Sequence, residues 1–244
     1  IPADAAVSAQ SDLGPQLSHR QELFLFPRPH EAEYVMLDVM SGLFPVRHYA
    51  DYVTAVDNTL NNGYGIIDSR DGYILMQRGV VNRDFAPEFY SFAIPEQPII
   101  PQMPLTASIN NELTLLGYDF QPGRDTGIHI ITYWRTENPI TTPYQIYLNM
   151  TTEDGRTIIS REPRTTFWLP PDAWPADTVI AVDFGSIGLR GADFEQIDLS
   201  LHVQTGAEDE VLPFDVTESM LAPPLKGDGR EVVLGTFCYE YGIL

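Results

Sequence analysis

The sequence predicts an α+β chain in two parts: a small three-layer α/β unit, then an antiparallel, jelly-roll-like β-sandwich. Three observations carry that reading. Residues 1–80 alternate short apolar runs with one clear helical period. Residues 81–105 lose all periodicity and are punctuated by Pro87, Pro95, Pro98, Pro101 and Pro104. From residue 106 onward, short strand-like runs follow one another between Gly and Pro turns. The expected divisions are an α/β domain at 1–80, a Pro-rich linker at 81–105 and a β-sandwich domain at 106–244.

Each element has a local cause. Ala5 to Ala9 is a short apolar strand, and Ser11 or Asp12 caps a short helical turn after it. Glu22 to Phe26, stopped by Pro27, and Glu33 to Val39 are near-continuous apolar runs, as expected of strands covered on both faces. The clearest helix follows. Pro45 suits its first turn, and Tyr49, Tyr52, Val53, Val56 and Leu60 recur on one face. Asn61-Asn62-Gly63 supplies its stop. Tyr64 to Asp68 and Tyr73 to Gln77 flank the turn Arg70-Asp71-Gly72 as a β-hairpin.

Beyond the linker the runs are Leu113 to Asp119, Gly127 to Arg135, Tyr144 to Thr152, Arg156 to Arg161, Thr178 to Phe184, Gln196 to Thr205 and Val232 to Tyr239. In Gly127 to Arg135 the residues Ile128, Ile130, Thr132 and Trp134 share one face. Asp154-Gly155 turns the third run into the fourth.

Charge narrows the functions. The 244 residues carry 14 basic and 34 acidic side chains, a net charge of −20. Nucleic-acid binders and peripheral proteins of anionic membranes need a cationic surplus, so both classes are excluded. The acidic surplus is shared: residues 1–105 hold 6 basic and 13 acidic, and residues 106–244 hold 8 and 21. Hydrophobic content of 43% predicts a folded chain. No run of apolar residues is long enough to span a bilayer. Cys238 is the only cysteine, so an intramolecular disulfide and a cysteine zinc site are excluded, and its aromatic neighbours suggest a small core residue.

Few constellations suggest chemistry. The chain has no G-x-G-x-x-G, no G-x-x-x-x-G-K and no G-x-S-x-G. If the α/β unit has a site, His19, Arg20 and Asp38 are its candidates, since they fall near element ends where α/β crevices form. The competing reading of Ser18-His19-Arg20 is a polar helix end. The five histidines are scattered, without the paired spacing of a transition-metal site. Glu208, Asp209 and Glu210 form a carboxylate cluster that reads as a solvated loop or as one structural Ca²⁺ site; its spacing departs from the EF-hand. No other cofactor is expected.

Carbohydrate recognition turns on exposed aromatics rather than on the acid count. Trp168, Trp174, Tyr144 and Tyr147 are the candidates. Trp168 and Trp174 lie in a Pro-rich loop that would hold a ring against a sugar or staple itself to the sheet. Asn149-Met150-Thr151 matches the N-glycosylation pattern but lies in mid-strand.

Two sets of residues carry a resemblance. The first is Leu17-Ser18-His19-Arg20, Phe26-Pro27 and Ala32-Glu33-Tyr34-Val35-Met36-Leu37-Asp38, followed by Gly63-Tyr64-Gly65-Ile66 and Asp71 to Gly79. It resembles the soluble tail of an uncharacterised family of bacterial polytopic membrane proteins. Their membrane part looks like the multi-pass glycosyltransferases that use lipid-linked sugars. The second is Leu115 to Tyr118, Tyr133 to Arg135, Asp154 to Arg156 and Trp168 to Pro170, which resembles a β-sandwich appended to such proteins.

The resemblance implies a fragment tethered on the extracytoplasmic side of a bacterial membrane, in agreement with the absent initiator Met. It transfers no catalytic residue, because that family's catalytic acid lies in the membrane part. The leading expectation is a non-catalytic region that docks on the membrane part of its own polypeptide or recognises a glycan or lipid-linked sugar. The alternatives are a secreted carbohydrate-binding protein and a hydrolase with an interdomain cleft.

Overall fold

A computed structural model describes residues 1–29, 31–122, 127–188, 196–206, 210–219, 225–226 and 228–238. Among the described residues the fold is mostly β, with three five-stranded sheets. The chain divides into two compact units, Ile1–Phe92 and Ala93–Leu244.

The first unit holds β1 (Val7–Ala9), a one-turn α1 (Gly14–Leu17), β2 (Leu23–Leu25), β3 (Tyr34–Asp38), α2 (Tyr49–Asn61), β4 (Tyr64–Arg70) and β5 (Tyr73–Arg78). The sheet order is β2-β1-β3-β5-β4. β1 pairs in parallel with both β2 and β3, whereas β3–β5 and β5–β4 are antiparallel. One face gathers Val7, Ala9 and Tyr34 with Leu13, Leu17, Met36 and Leu75. Val35 and Leu37 point the other way, register with Met76 and Ile74, and are fully buried with them. α2 offers the buried stripe such a face needs in Tyr52, Val56, Thr59 and Leu60, with Tyr52 edge-on to Phe26.

Three local expectations change. β2 is not covered on both faces: it is the sheet edge, and Leu23 and Leu25 are 37% and 44% exposed. α2 begins at Tyr49 with His48 as its extended N-cap, so Pro45 lies before the helix. The stretch expected as linker is partly built into this unit. Ile66 donates to Asn82 O, Asp71 to Glu88 O and Gly72 to Phe89 O, and Pro87–Phe92 coils as a 3-10 helix around the buried Phe89.

The second unit begins with β6 (Met103–Ile109), β7 (Leu113–Pro122) and β8 (Gly127–Arg135). β9 (Tyr144–Thr152), β10 (Thr157–Arg161), α3 (Arg164–Trp168) and β11 (Val179–Gly188) follow. β12 (Gln196–Thr205), β13 (Asp215–Ser219), β14 (Leu225–Lys226) and β15 (Glu231–Cys238) close it. One sheet runs β11-β8-β7-β6-β13 and the other β10-β9-β12-β15-β14. Every pairing in both is antiparallel.

The alternation read from the sequence decides which side chains form the core. Ile128, Ile130, Thr132 and Trp134 of β8 are buried, as are Ile146, Leu148 and Met150 of β9 and Ile197, Leu199, Leu201 and Val203 of β12. The sheets touch through the Tyr118 hydroxyl, which donates to Leu234 O, and through the edge-to-face rings of Phe120 and Phe237. That contact is consistent with a β-sandwich. Cys238, expected in the core, is exposed at the end of β15.

Candidate functional site

Sequence-selected residues of the first unit serve its architecture. His19 is exposed. Arg20 clamps the N-terminal segment by donating to the carbonyls of Ile1, Pro2 and Ala5. Asp38 closes β3. Its backbone N–H donates to Gln10 Oε1 and its carbonyl accepts from Gln10 Nε2, both at 2.8 Å. Its carboxylate accepts from Met40 N at 3.0 Å. Tyr52 Oη donates to the same Gln10 Oε1 at 2.8 Å, and Gln10 is fully buried. Parallel strand ends do gather polar groups here, as an α/β crevice would, but these groups satisfy one another. His19 does not join them. A cleft of about 570 Å³ by the end of β2 has mostly apolar walls, with Arg28 the charged residue among its described lining.

The second unit holds a better-equipped cleft of about 650 Å³. Its floor comes from the start of β9, where Pro143, Tyr144 and Gln145 meet Gly206 beyond β12; Gly206 N donates to Pro143 O at 2.8 Å. Its wall comes from the connection after β10: Glu162, then Thr166 and Phe167 of α3, then Pro170, Pro171 and Asp172.

That wall is pinned from behind. Thr165 Oγ1 donates to Ala181 O at 3.3 Å and accepts from Asp183 N at 3.0 Å. Trp174, 3% exposed, donates from Nε1 to Leu169 O at 2.9 Å. Trp174 is therefore the staple of the Pro-rich loop, and the sugar-platform expectation for it is corrected. Trp168 is half-buried and Phe167, its neighbour, faces the cleft.

The cleft's polar groups are partly committed. The Tyr144 hydroxyl donates to Glu112 Oε2 at 2.6 Å, and the residue is 3% exposed. Gln145 Oε1 accepts from Gln204 Nε2 at 3.0 Å. Burial pushes the half-buried Glu162 carboxyl up, and a hydrogen bond from the Tyr147 hydroxyl pulls part of that back.

Tyr147 starts a row across the outer face of this sheet. Its ring stacks on His202, 4.9 Å between centroids and 7° from parallel. Asn149 Nδ2 donates to His202 Nδ1 at 2.9 Å and lies 3.4 Å from Glu231 Oε1, while Ser200 Oγ donates to Glu231 Oε2 at 2.8 Å. In this contact the amide nitrogen is the donor and His202 Nδ1 the acceptor. Burial lowers the imidazole's pKa, with Glu231 opposing. Asn149 is 6% exposed and bonded in this row, so the glycosylation triplet is closed to modification in the folded chain.

Glu208 and Asp209 lie outside the described residues, and Glu210 is exposed with its carbonyl accepting from Thr205 N. Among the described residues, no group of three or more His, Cys, Asp or Glu is placed to hold a metal ion. Sequence reasoning missed Glu162, Phe167 and Asp172 as a set. The Pro-rich loop it selected contains Asp172, but nothing local set Glu162 apart from the other acids among 34.

Comparison with protein-family models, with curated proteins and with solved structures finds no match to this chain.

Proposed function

We propose that this chain is a non-catalytic extracytoplasmic region of a bacterial multi-pass membrane protein, and that its β-rich unit binds a glycan or the sugar of a lipid-linked donor. The observation that carries the binding reading is the composition of the 650 Å³ cleft: the Phe167 ring beside Gln145, Glu162 and Asp172, over a buried Tyr144. Sugars present apolar C–H faces and several hydroxyls. One aromatic face with a few amide and carboxylate groups matches both, and the volume lies within the ~300–1,000 Å³ range of ligand sites. The tether rests on the resemblance of residues 17–79. It is compatible with the finding that no described helix is long and apolar enough to cross a membrane.

The winding we propose for this unit is jelly-roll-like. Its support is the nesting of pairs: β6 with β13, β8 with β11 and β9 with β10, as in a long hairpin folded over. β7 departs from that scheme by staying between β6 and β8.

Titration of neutral oligosaccharides into the full chain, followed by calorimetry, tests the binding. Phe167→Ala is expected to weaken a saccharide that binds by about tenfold, the loss of one stacked face. Absence of binding across a broad neutral and charged glycan panel overturns the reading.

A further inference from the structure

We infer that the ligand of the β-rich unit's cleft carries a positively charged amine: an amino sugar or an amine-bearing glycan rather than an acidic one. The inference rests on the glycan reading above and adds the charge. Among the described residues, the lining holds two carboxylates, Glu162 and Asp172, and no Lys or Arg. Nearby cations are turned elsewhere. Arg161 Nη1 donates to Ser186 O at 3.2 Å, and the Arg164 guanidinium lies over Gly185, where an added Cβ would stand 2.8 Å from Nε. Lys226, the only lysine, pairs with Asp198.

Backbone donors are scarce too. Pro143, Pro170 and Pro171 line the cleft and have no N–H to offer. The site is therefore rich in acceptors, and an ammonium, with three donors and no acceptor, complements it. A uronate or phosphate would meet like charge at Glu162 and Asp172. Glu162 is half-buried, so an ammonium beside it forms a charge-assisted bond less screened than one on the open surface.

The test titrates the full chain with glucosamine oligomers, their N-acetylated forms and uronic acid oligomers of equal length. The amine form is expected to bind about tenfold more tightly than the N-acetylated form, and the uronate not at all. In Glu162→Gln with Asp172→Asn the amine preference disappears while N-acetylated binding persists. Glu153→Gln, an exposed carboxylate outside the cleft, keeps the preference. Equal or tighter binding of the N-acetylated form overturns the charge inference and leaves the glycan reading standing. A preference that survives in the cleft variant reflects the diffuse −20 charge and also overturns it. Silence of all three ligands overturns both.

Discussion

Tyr118 shows how much one side chain can hold. It is 1% exposed, and its hydroxyl bridges two sheets by donating to Leu234 O. Burial pushes its pKa from 10.0 up to about 12. The folded state keeps the phenol proton more tightly than the unfolded chain does. Its stabilisation is therefore complete below pH 10.0 and is lost as pH rises toward about 12. Tyr52 and Tyr133 are raised in the same direction, chiefly by burial. Thermal unfolding followed across alkaline pH is expected to fall steeply above pH 10, and less steeply in Tyr118→Phe. An unchanged slope in that variant would show that the phenol stays solvated. The same scale holds the candidate site. Glu162 was one acid among 34 in the sequence; its burial, its Tyr147 partner and its place beside Phe167 depend on side chains from other strands. Trp174 was legible as an aromatic in a loop, but only its Nε1–Leu169 bond separates a staple from a platform.

At the scale of elements, the edge strand β4 is covered by its own chain. Ile66 N donates to Asn82 O at 2.7 Å, and Asn82 Nδ2 donates back to Ile66 O at 3.0 Å. Gly65 permits this approach: a Cβ there would stand 2.4 Å from Val80 O and 2.8 Å from Asn82 O, both backbone atoms. Gly65→Ala is expected to cost about 1–3 kcal/mol in urea unfolding, because backbone must move. An unchanged midpoint would mean that residues 80–82 shift aside freely. Proline explains what was misread nearby. Pro104 argued against a strand, yet β6 runs through it, and the register shift between Pro104 and Ala107 accommodates the missing donor. β13 reads Asp-Val-Thr-Glu-Ser, with too little apolar alternation to announce itself, and is an edge strand paired with β6. α3 spans five residues, too few to show a helical period. By contrast, β8, β9 and β12 fall where strands were expected from the sequence, since one face of each is core.

For the whole molecule, the acidic excess marks no single unit, and the proposed amine preference ties it to the second unit's cleft, whose described lining holds carboxylates without Lys or Arg. The proposed tether makes a prediction of its own. The gene encoding this chain should also encode, upstream of Ile1, several apolar spans of about 20 residues. An open reading frame without them removes the membrane part of the proposal and leaves the cleft untouched. By itself the sequence determined the type of the long elements and the bias in charge. Those follow from near neighbours: period-2 alternation in β8 and β9, a stripe at 3–4 spacing in α2, and counts of ionisable groups. Only the tertiary structure decided which sheet each strand joins, which edge is covered and which carboxylate is half-buried. Those depend on pairings such as Tyr144 with Thr205 and Leu105 with Ser219, and no local pattern encodes a partner so far along the chain.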